Sequence, residues 1–109
     1  MASVAAAEDK IFHALADPSR RAIFESLARG EAAVKDLTAR FDISQPAVSQ
    51  HLATLKDAGL VKGRREGRCV YYRVEPRGMK PLFQWIAHYR VFWAEHLDRL
   101  EQLLARMDS

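Results

Sequence analysis

The middle of this chain carries the feature that most restricts its fold, a pair of short amphipathic segments separated by three residues. Over residues 34–41, apolar side chains recur at helical spacing, at Val34, Leu37 and Phe41. After the turn at 42–44, a helix over residues 44–58 carries an apolar stripe of Val48, Leu52 and Leu55. Ser44 is its expected N-cap, and Gly59 is the expected C-cap. Two short helices joined this closely are typical of a helix-turn-helix.

Beyond Gly59 the apolar spacing changes from helical to every second residue. Apolar and polar side chains alternate on both sides of an expected turn at Glu66-Gly67, in the series Val61, Gly63, Val70, Tyr72 and Val74. Pro76 and Gly78 end the pattern. Residues 61–75 are therefore predicted to form a two-stranded antiparallel hairpin.

Two further helices are predicted before the helix-turn-helix. The first runs from about Ala7 to Ala16, and its stripe is formed by Ile11, Phe12 and Leu15. The second begins at Pro18, after Asp17 as N-cap, and ends at Gly30, which is expected to be left-handed. The chain is thus predicted to be mainly α-helical with one two-stranded β-hairpin.

The last predicted helix, over residues 80–107, has more apolar surface than one small domain can bury. Its stripe recurs every three or four residues, at Leu82, Ile86, Tyr89, Trp93, Leu97, Leu100 and Leu104. Part of this stripe is expected to pack in its own protomer, and the remainder predicts a partner helix, most simply a second copy. This stripe is therefore the expected dimer interface.

Length and composition predict a single domain. The 109 residues are enough for one hydrophobic core and too few for two, and 49% of them are hydrophobic. The N-terminal residues lack the regions of a signal peptide, and no apolar run approaches the ~18 residues that a membrane span needs. We therefore expect one cytoplasmic domain over residues 1–109, with no membrane partner and with residues 1–6 as a mobile tail.

Positive charge is concentrated in one short segment. The net charge is +3, but residues 61–80 alone carry +5, from seven basic and two acidic side chains. Such a local excess is the footprint of a polyanionic partner, although a solvated hairpin would also carry it. Because the segment adjoins the helix-turn-helix, double-stranded DNA is the expected partner.

The second helix of this motif has an uncharged polar face suited to reading bases. Gln pairs with adenine, Ser and Thr serve either base, and a helix N-terminus offers N–H groups to phosphate. The candidate contacts on this helix are Ser44, Gln45, Pro46, Ser49, Gln50 and Thr54. The hairpin adds cations, with Arg64, Arg65 and Arg68 at its expected tip and Lys62 and Arg73 on its strands. They suit either the minor groove or phosphates, and the sequence leaves both uses open.

The sequence gives no indication of catalysis. It shows no Ser-His-Asp set, no paired buried carboxylates and no glycine-rich phosphate loop, so we expect neither an enzyme nor a cofactor. Cys69 is the single cysteine. Its basic neighbours would favour a reactive thiolate, but a lone cysteine in a strand is usually a small apolar filler. We therefore expect Cys69 to be structural.

Three segments resemble the ArsR/SmtB family of winged-helix repressors: HALADPSRRAIFESL at 13–27, DISQPAVSQHLATLKDAGLV at 42–61 and GRCVYYRV at 67–74. The resemblance implies a winged helix-turn-helix with four helices, two strands and a final helix, in that order. It implies a homodimer built from the first and last helices, so that Ile11 and Phe12 of the first helix join the stripe in the interface, and it implies that this dimer represses nearby genes from a palindromic operator. It also implies that Gln45, Ser49 and Gln50 face the major groove and that Arg64 to Arg68 lie on the wing.

The chain departs from the metal-sensing members of that family. They carry paired cysteines on the third helix, where this sequence reads AAVKDLTARF. On the last helix the candidate ligands are His88 and His96, with Glu95 and Asp98, and a zinc site needs three or four ligands in tetrahedral reach. We therefore expect no metal. A metal- or thiol-responsive sensor of the same fold and a protein-interaction module without DNA binding stay open as alternatives, and the effector is unknown.

Overall fold

The computed structural model describes residues 4–108. Within that range the elements are, in order, α1 (Val4–Ala16), α2 (Pro18–Arg29), β1 (Ala32–Ala33), α3 (Val34–Phe41), α4 (Gln45–Asp57), β2 (Val61–Glu66), β3 (Cys69–Val74), α5 (Lys80–His88) and α6 (Arg90–Met107). A 3-10 turn, Pro76–Met79, leads into α5. The predicted fold class, mainly helical with a small antiparallel hairpin, is confirmed.

The first four helices enclose the core. Its largest fully buried side chains are Ile11, Ile23, Leu37, Val48, Leu52, Leu55 and Leu60. Burying a side chain of this size contributes about 1.5–3 kcal/mol, so these apolar stripes hold the helices together. Ile11 is only 1% exposed. Its assignment to the dimer interface is therefore wrong, because the protomer's own core already covers it.

The helix caps are those predicted from the sequence, except at Gly30. The Asp17 carboxylate accepts a hydrogen bond from the Arg20 backbone N–H at 3.0 Å and begins α2 as predicted. Gly30, which ends α2, has φ 164° and ψ 154°. This is extended backbone, so the prediction of a left-handed Gly30 is wrong. The chain leaves α2 directly into β1 and needs no reversal there.

The helix-turn-helix is confirmed, and its two ends are fixed by local hydrogen bonds. Asp42 closes α3 in the left-handed region, with φ 49°, and the Ser44 hydroxyl accepts from the Ala47 N–H at 3.2 Å to begin α4. Gly59 takes φ 79°, and its N–H donates to the Lys56 carbonyl at 2.9 Å. The Leu60 N–H donates to the Leu55 carbonyl at 3.0 Å, which completes a Schellman turn.

Three antiparallel strands form the sheet, in the order β1-β3-β2. In the hairpin, Lys62 lies opposite Arg73, Arg64 opposite Tyr71 and Glu66 opposite Cys69. The predicted hairpin is confirmed, but β1 was not expected from the sequence. It consists of Ala32 and Ala33 alone, paired with Tyr72 and Tyr71. Two residues are too few to show a period of two, so only the tertiary structure reveals the third strand.

The predicted last helix is two helices rather than one. It breaks at Tyr89, which has φ −103° and ψ 18°, and whose N–H bonds to the Ile86 carbonyl at 3.1 Å, one residue short of the α-helical partner. Beyond Pro81, residues 82–107 contain neither Pro nor Gly. The apolar spacing therefore continues across the break and gives no signal for it. At the other end, α1 begins at Val4, earlier than predicted, and residues 1–3 of the expected tail lie outside the described residues.

No helix within residues 4–108 is long and apolar enough to cross a lipid bilayer.

A pair of glycine substitutions tests the packing of the 3-10 turn against the end of α4. A Cβ added at Gly78 would overlap the carbonyl oxygen of Gly59, whereas one added at Gly30 would meet nothing within 4 Å. We expect Gly78→Ala to lower the free energy of unfolding by about 1–3 kcal/mol, because backbone must move. Gly30→Ala is the matched control, and it should leave stability unchanged or raise it by up to about 1 kcal/mol. Equal urea midpoints for the two variants would contradict this packing.

Candidate nucleic-acid interface

One side of α4 is buried and the other presents uncharged polar groups. Val48, Leu52 and Leu55 are fully buried, whereas Gln45, Pro46, Ser49 and Gln50 are exposed, as predicted for a reading face. Ala53, which the sequence analysis passed over, is also exposed. It adds a methyl group of the kind that contacts thymine.

Two of the predicted base-contacting hydroxyls already have partners within the helix. The Ser44 hydroxyl accepts the capping hydrogen bond from Ala47, and the Thr54 hydroxyl donates to the Gln50 carbonyl at 3.2 Å. Thr54 is half-buried. The free polar groups of the face are therefore the amides of Gln45 and Gln50 and the hydroxyl of Ser49.

The hairpin cations divide into paired and unpaired groups. The Lys62 ammonium lies 3.1 Å from the Glu75 carboxylate. Arg64 pairs with Glu31, through Nε at 3.0 and 3.1 Å, and with Glu66 through Nη1 at 2.8 Å. Arg64 lies within β2 rather than at the tip of the hairpin, so that part of the prediction is wrong.

These pairs shift the titration of the carboxylates. The hydrogen bonds from Arg64 lower the pKa of Glu31, and the Lys62 ammonium, followed by the Arg77 backbone N–H, lowers the pKa of Glu75. Arg73 is exposed and its charge acts on both carboxylates. The carboxylates of Glu31 and Glu75 are therefore both ionised at neutral pH, and they offset much of the positive charge at the base of the hairpin.

Among residues 4–108, Arg65, Arg68 and Arg73 are the hairpin cations whose side chains make no hydrogen bond or ion pair, and the charge of Arg73 acts on Glu31 and Glu75. Arg68 lies at the turn and lines a groove of 210 Å³ between the hairpin and the helix-turn-helix. The groove is lined by Ala33, Val34, Lys35, Gln45, Arg68, Cys69 and Val70. Two cations, an amide and the first turn of α3 thus meet where the wing approaches α4.

Lys35 is a residue of this groove that the sequence analysis missed. It lies in the first turn of α3, in a part of the sequence with no excess of positive charge. Lys35 and Arg68 are brought to one groove because β1, directly before α3, pairs with β3, directly after the turn. A short strand of two alanines carries that pairing, so no sequence pattern could have indicated it.

The residues considered as metal ligands or as a redox site make contacts of a different kind in the structure. Across the described chain, no three His, Cys, Asp or Glu side chains are placed to hold a metal ion. His96 stacks on Phe92 at 3.9 Å, and its Nδ1 donates to the Phe92 carbonyl at 2.8 Å. The His88 ring lies edge-on to Tyr89 at 4.9 Å. Cys69 is half-buried and lines the groove beside Lys35 and Arg68.

A second surface of the molecule is apolar and exposed. Except for Trp93, every described residue of α6 is exposed. The large exposed apolar side chains include Phe12, Ile86, Tyr89, Leu97, Leu100 and Leu104 from the predicted interface, together with Phe83, Val91, Phe92, Leu103 and Met107. Leu82 is different, because it packs against the core.

An aromatic cluster joins α1 to the break between α5 and α6. Trp85 contacts Phe12 at 5.5 Å, Tyr89 at 5.2 Å and Trp93 at 6.2 Å between ring centroids. Such contacts are favourable ring arrangements, and they hold α5 against α1 while α6 extends beyond the core. Part of the Trp93 ring surface is therefore already in contact with its own protomer.

Comparison with known proteins assigns the fold and the family. Residues 17–62 match the model of the bacterial regulatory protein, arsR family. The chain is 42% identical over 96 residues to the HTH-type transcriptional regulator Rv2034 of Mycobacterium tuberculosis, covering 88% of this chain and 87% of the relative. It is 31% identical to the transcriptional repressor SdpR of Bacillus subtilis, covering 74% of this chain and 90% of the relative.

A solved structure agrees. The crystal structure of the ArsR family transcriptional regulator RHA00566 superimposes with a TM-score of 0.74 at 33% identity, covering 86% of this chain and 97% of that chain. These relatives are regulators, so the prediction that the chain is not an enzyme is confirmed. The chain is a winged-helix transcriptional regulator of the ArsR family.

Proposed function

We propose that the protein is a homodimeric cytoplasmic repressor that binds a palindromic operator, with α4 in the major groove and the β2–β3 hairpin as the wing. The observation that carries this proposal is the juxtaposition of the uncharged face of α4 with the groove that holds Lys35, Gln45 and Arg68. The α4 face supplies direct readout of bases, and the cations of the groove supply contacts to phosphate.

The chemistry of the two parts differs as DNA recognition requires. Amides and small hydroxyls distinguish bases in the major groove, so Gln45, Ser49 and Gln50 are the proposed reading residues. Cations without an ion-pair partner contact phosphates most readily. The proposed phosphate contacts of this molecule are Arg65, Arg68 and Lys35. Lys62 and Arg73, which the sequence also nominated, face Glu75 and Glu31, so they contribute less charge to DNA.

The proposed partner of the exposed α6 stripe is a second copy. Leu97, Leu100 and Leu104 repeat at three- and four-residue spacing on a helix whose described residues are all exposed except Trp93. A two-fold contact between such stripes buries both at once and places two recognition helices in successive turns of the major groove. Half-sites about 10 bp apart, or a multiple of that, are the expected operator spacing.

Loss of the free wing cations should weaken binding to all DNA sequences alike. We expect Arg65→Gln with Arg68→Gln to lower the slope of log K against log salt by about 3.6, since each phosphate contact contributes about 0.9 and each of the two protomers loses two. Arg29→Gln with Arg99→Gln removes the same charge from α2 and α6 and should leave the slope near that of the wild type. Fluorescence anisotropy across a salt series measures both. Equal slopes in the two double variants would contradict the phosphate contacts.

The reading face should carry sequence discrimination. We expect Gln50→Ala and Ser49→Ala each to lose about 1–3 kcal/mol of discrimination between operator and random DNA, because each loses a base contact. Binding to random DNA should change little. Gln102→Ala on α6 is the control for loss of a surface amide. Competition binding that finds unchanged discrimination in both α4 variants would remove this face from the major groove.

The α6 stripe should hold the dimer. Leu100 is 48% exposed in the middle of the stripe, so Leu100→Asp would place an unpaired charge in the apolar contact and shift the protein to monomer. Gln102→Asp adds the same charge on the opposite face of α6, about 200° away, and should stay dimeric. Sedimentation velocity distinguishes the two. With only one half-site per molecule, Leu100→Asp should also lose operator affinity by about 100-fold or more.

A further inference from the structure

We propose that Arg64 positions the wing by an ion-pair clamp to Glu31 and does not contact phosphate. The inference rests on the proposed function, because a wing needs positioning only if it meets DNA. It also reverses the role that composition suggests, since Arg64 is one of the cations behind the +5 charge of residues 61–80.

The clamp crosses the whole sheet. Continuing the antiparallel register of β1 and β3 by one residue places Glu31 beside Arg73, on the sheet face that carries Tyr71 and Arg64. Arg64 lies on β2, so its side chain reaches Glu31 over β3. The guanidinium carbon lies 4.9 Å from the centre of the Tyr71 ring. Carboxylate, guanidinium and ring thus link the end of α2 to the outer strand of the hairpin.

The outer half of the hairpin has no other attachment through the sheet. β1 pairs only with Tyr71 and Tyr72, near the middle of β3. Within residues 65–70 the two strands pair with each other but not with a third strand, although Cys69 and Val70 line the groove beside α3. An isolated two-stranded ribbon is marginally stable and twists freely, so a side-chain contact to the body has a large effect on its direction. Glu31 makes that contact.

Three of the five N–H donors of Arg64 are already used. Its Nε and Nη2 bond to Glu31, and its Nη1 bonds to Glu66 at 2.8 Å. The group of Glu31, Arg64 and Glu66 carries a net charge of −1, which disfavours an approaching phosphate. Arg65, its neighbour, points to the other face of the strand and has no such partner. The two adjacent arginines therefore have different roles.

The test compares single-residue variants of the full chain, first without DNA. Hydrogen exchange of the amides of residues 64–70 reports how firmly the wing is held. We expect Glu31→Gln and Arg64→Gln each to raise these exchange rates about two- to fivefold, as befits an exposed ion pair, and the double variant to raise them no further. Glu25→Gln, with the same charge change on α2, is the control and should match the wild type.

The second arm uses the salt dependence of DNA binding. We expect Arg64→Gln to keep the wild-type slope of log K against log salt, whereas Arg65→Gln lowers it by about 1.8, one contact in each protomer. A slope lowered equally in both would overturn the proposal, as would unchanged exchange in Glu31→Gln. If the wild type itself showed no salt-dependent DNA binding, the proposed function would fail, yet the exchange arm would still decide whether the clamp holds the wing.

Discussion

The turn at Gly59 determines where the recognition helix and the wing stand relative to each other. Gly59 reverses the chain in the left-handed region, Leu60 enters the core, and the Glu75 N–H returns to the Leu60 carbonyl at 2.9 Å at the far end of the hairpin. Gly78 then packs against Gly59 so closely that a Cβ at Gly78 would overlap the Gly59 carbonyl oxygen. One short segment therefore joins the end of α4, the base of the wing and the start of the C-terminal helices.

Ion pairs, and not only the number of basic side chains, determine how much positive charge the hairpin presents to a partner. The hairpin sequence carries a large positive excess, but its base is occupied by Lys62–Glu75 and Arg64–Glu31 pairs. Exposed ion pairs of this kind contribute little stability, yet they decide which cations remain available to a polyanion. The available ones, Arg65 and Arg68, lie toward the end of the hairpin, and Lys35 joins Arg68 from another element.

The C-terminal helices show a similar division of labour. The Trp85 ring contacts Phe12, Tyr89 and Trp93 within the protomer, and Leu82 packs on the core. The remaining stripe of α6, from Leu97 to Leu104, is left exposed. The break at Tyr89 separates Leu82 and Trp85, which pack within the protomer, from the exposed stripe, so the two parts belong to different helices.

Sequence patterns are sufficient to predict the elements whose signals are local: the caps at Asp17 and Ser44, the stripe of Val48, Leu52 and Leu55, the reversal at Gly59, and the alternation of the hairpin. Each depends on residues within a few positions of one another, so helical or two-residue spacing reveals it. Other features became visible only in the folded chain. Ile11 belongs to the core, and Ala32 and Ala33 form a strand. Lys35 and Arg68 share a groove, and Glu31 holds Arg64. Those facts depend on pairs far apart in the chain, and no periodicity records which distant residue a side chain will meet.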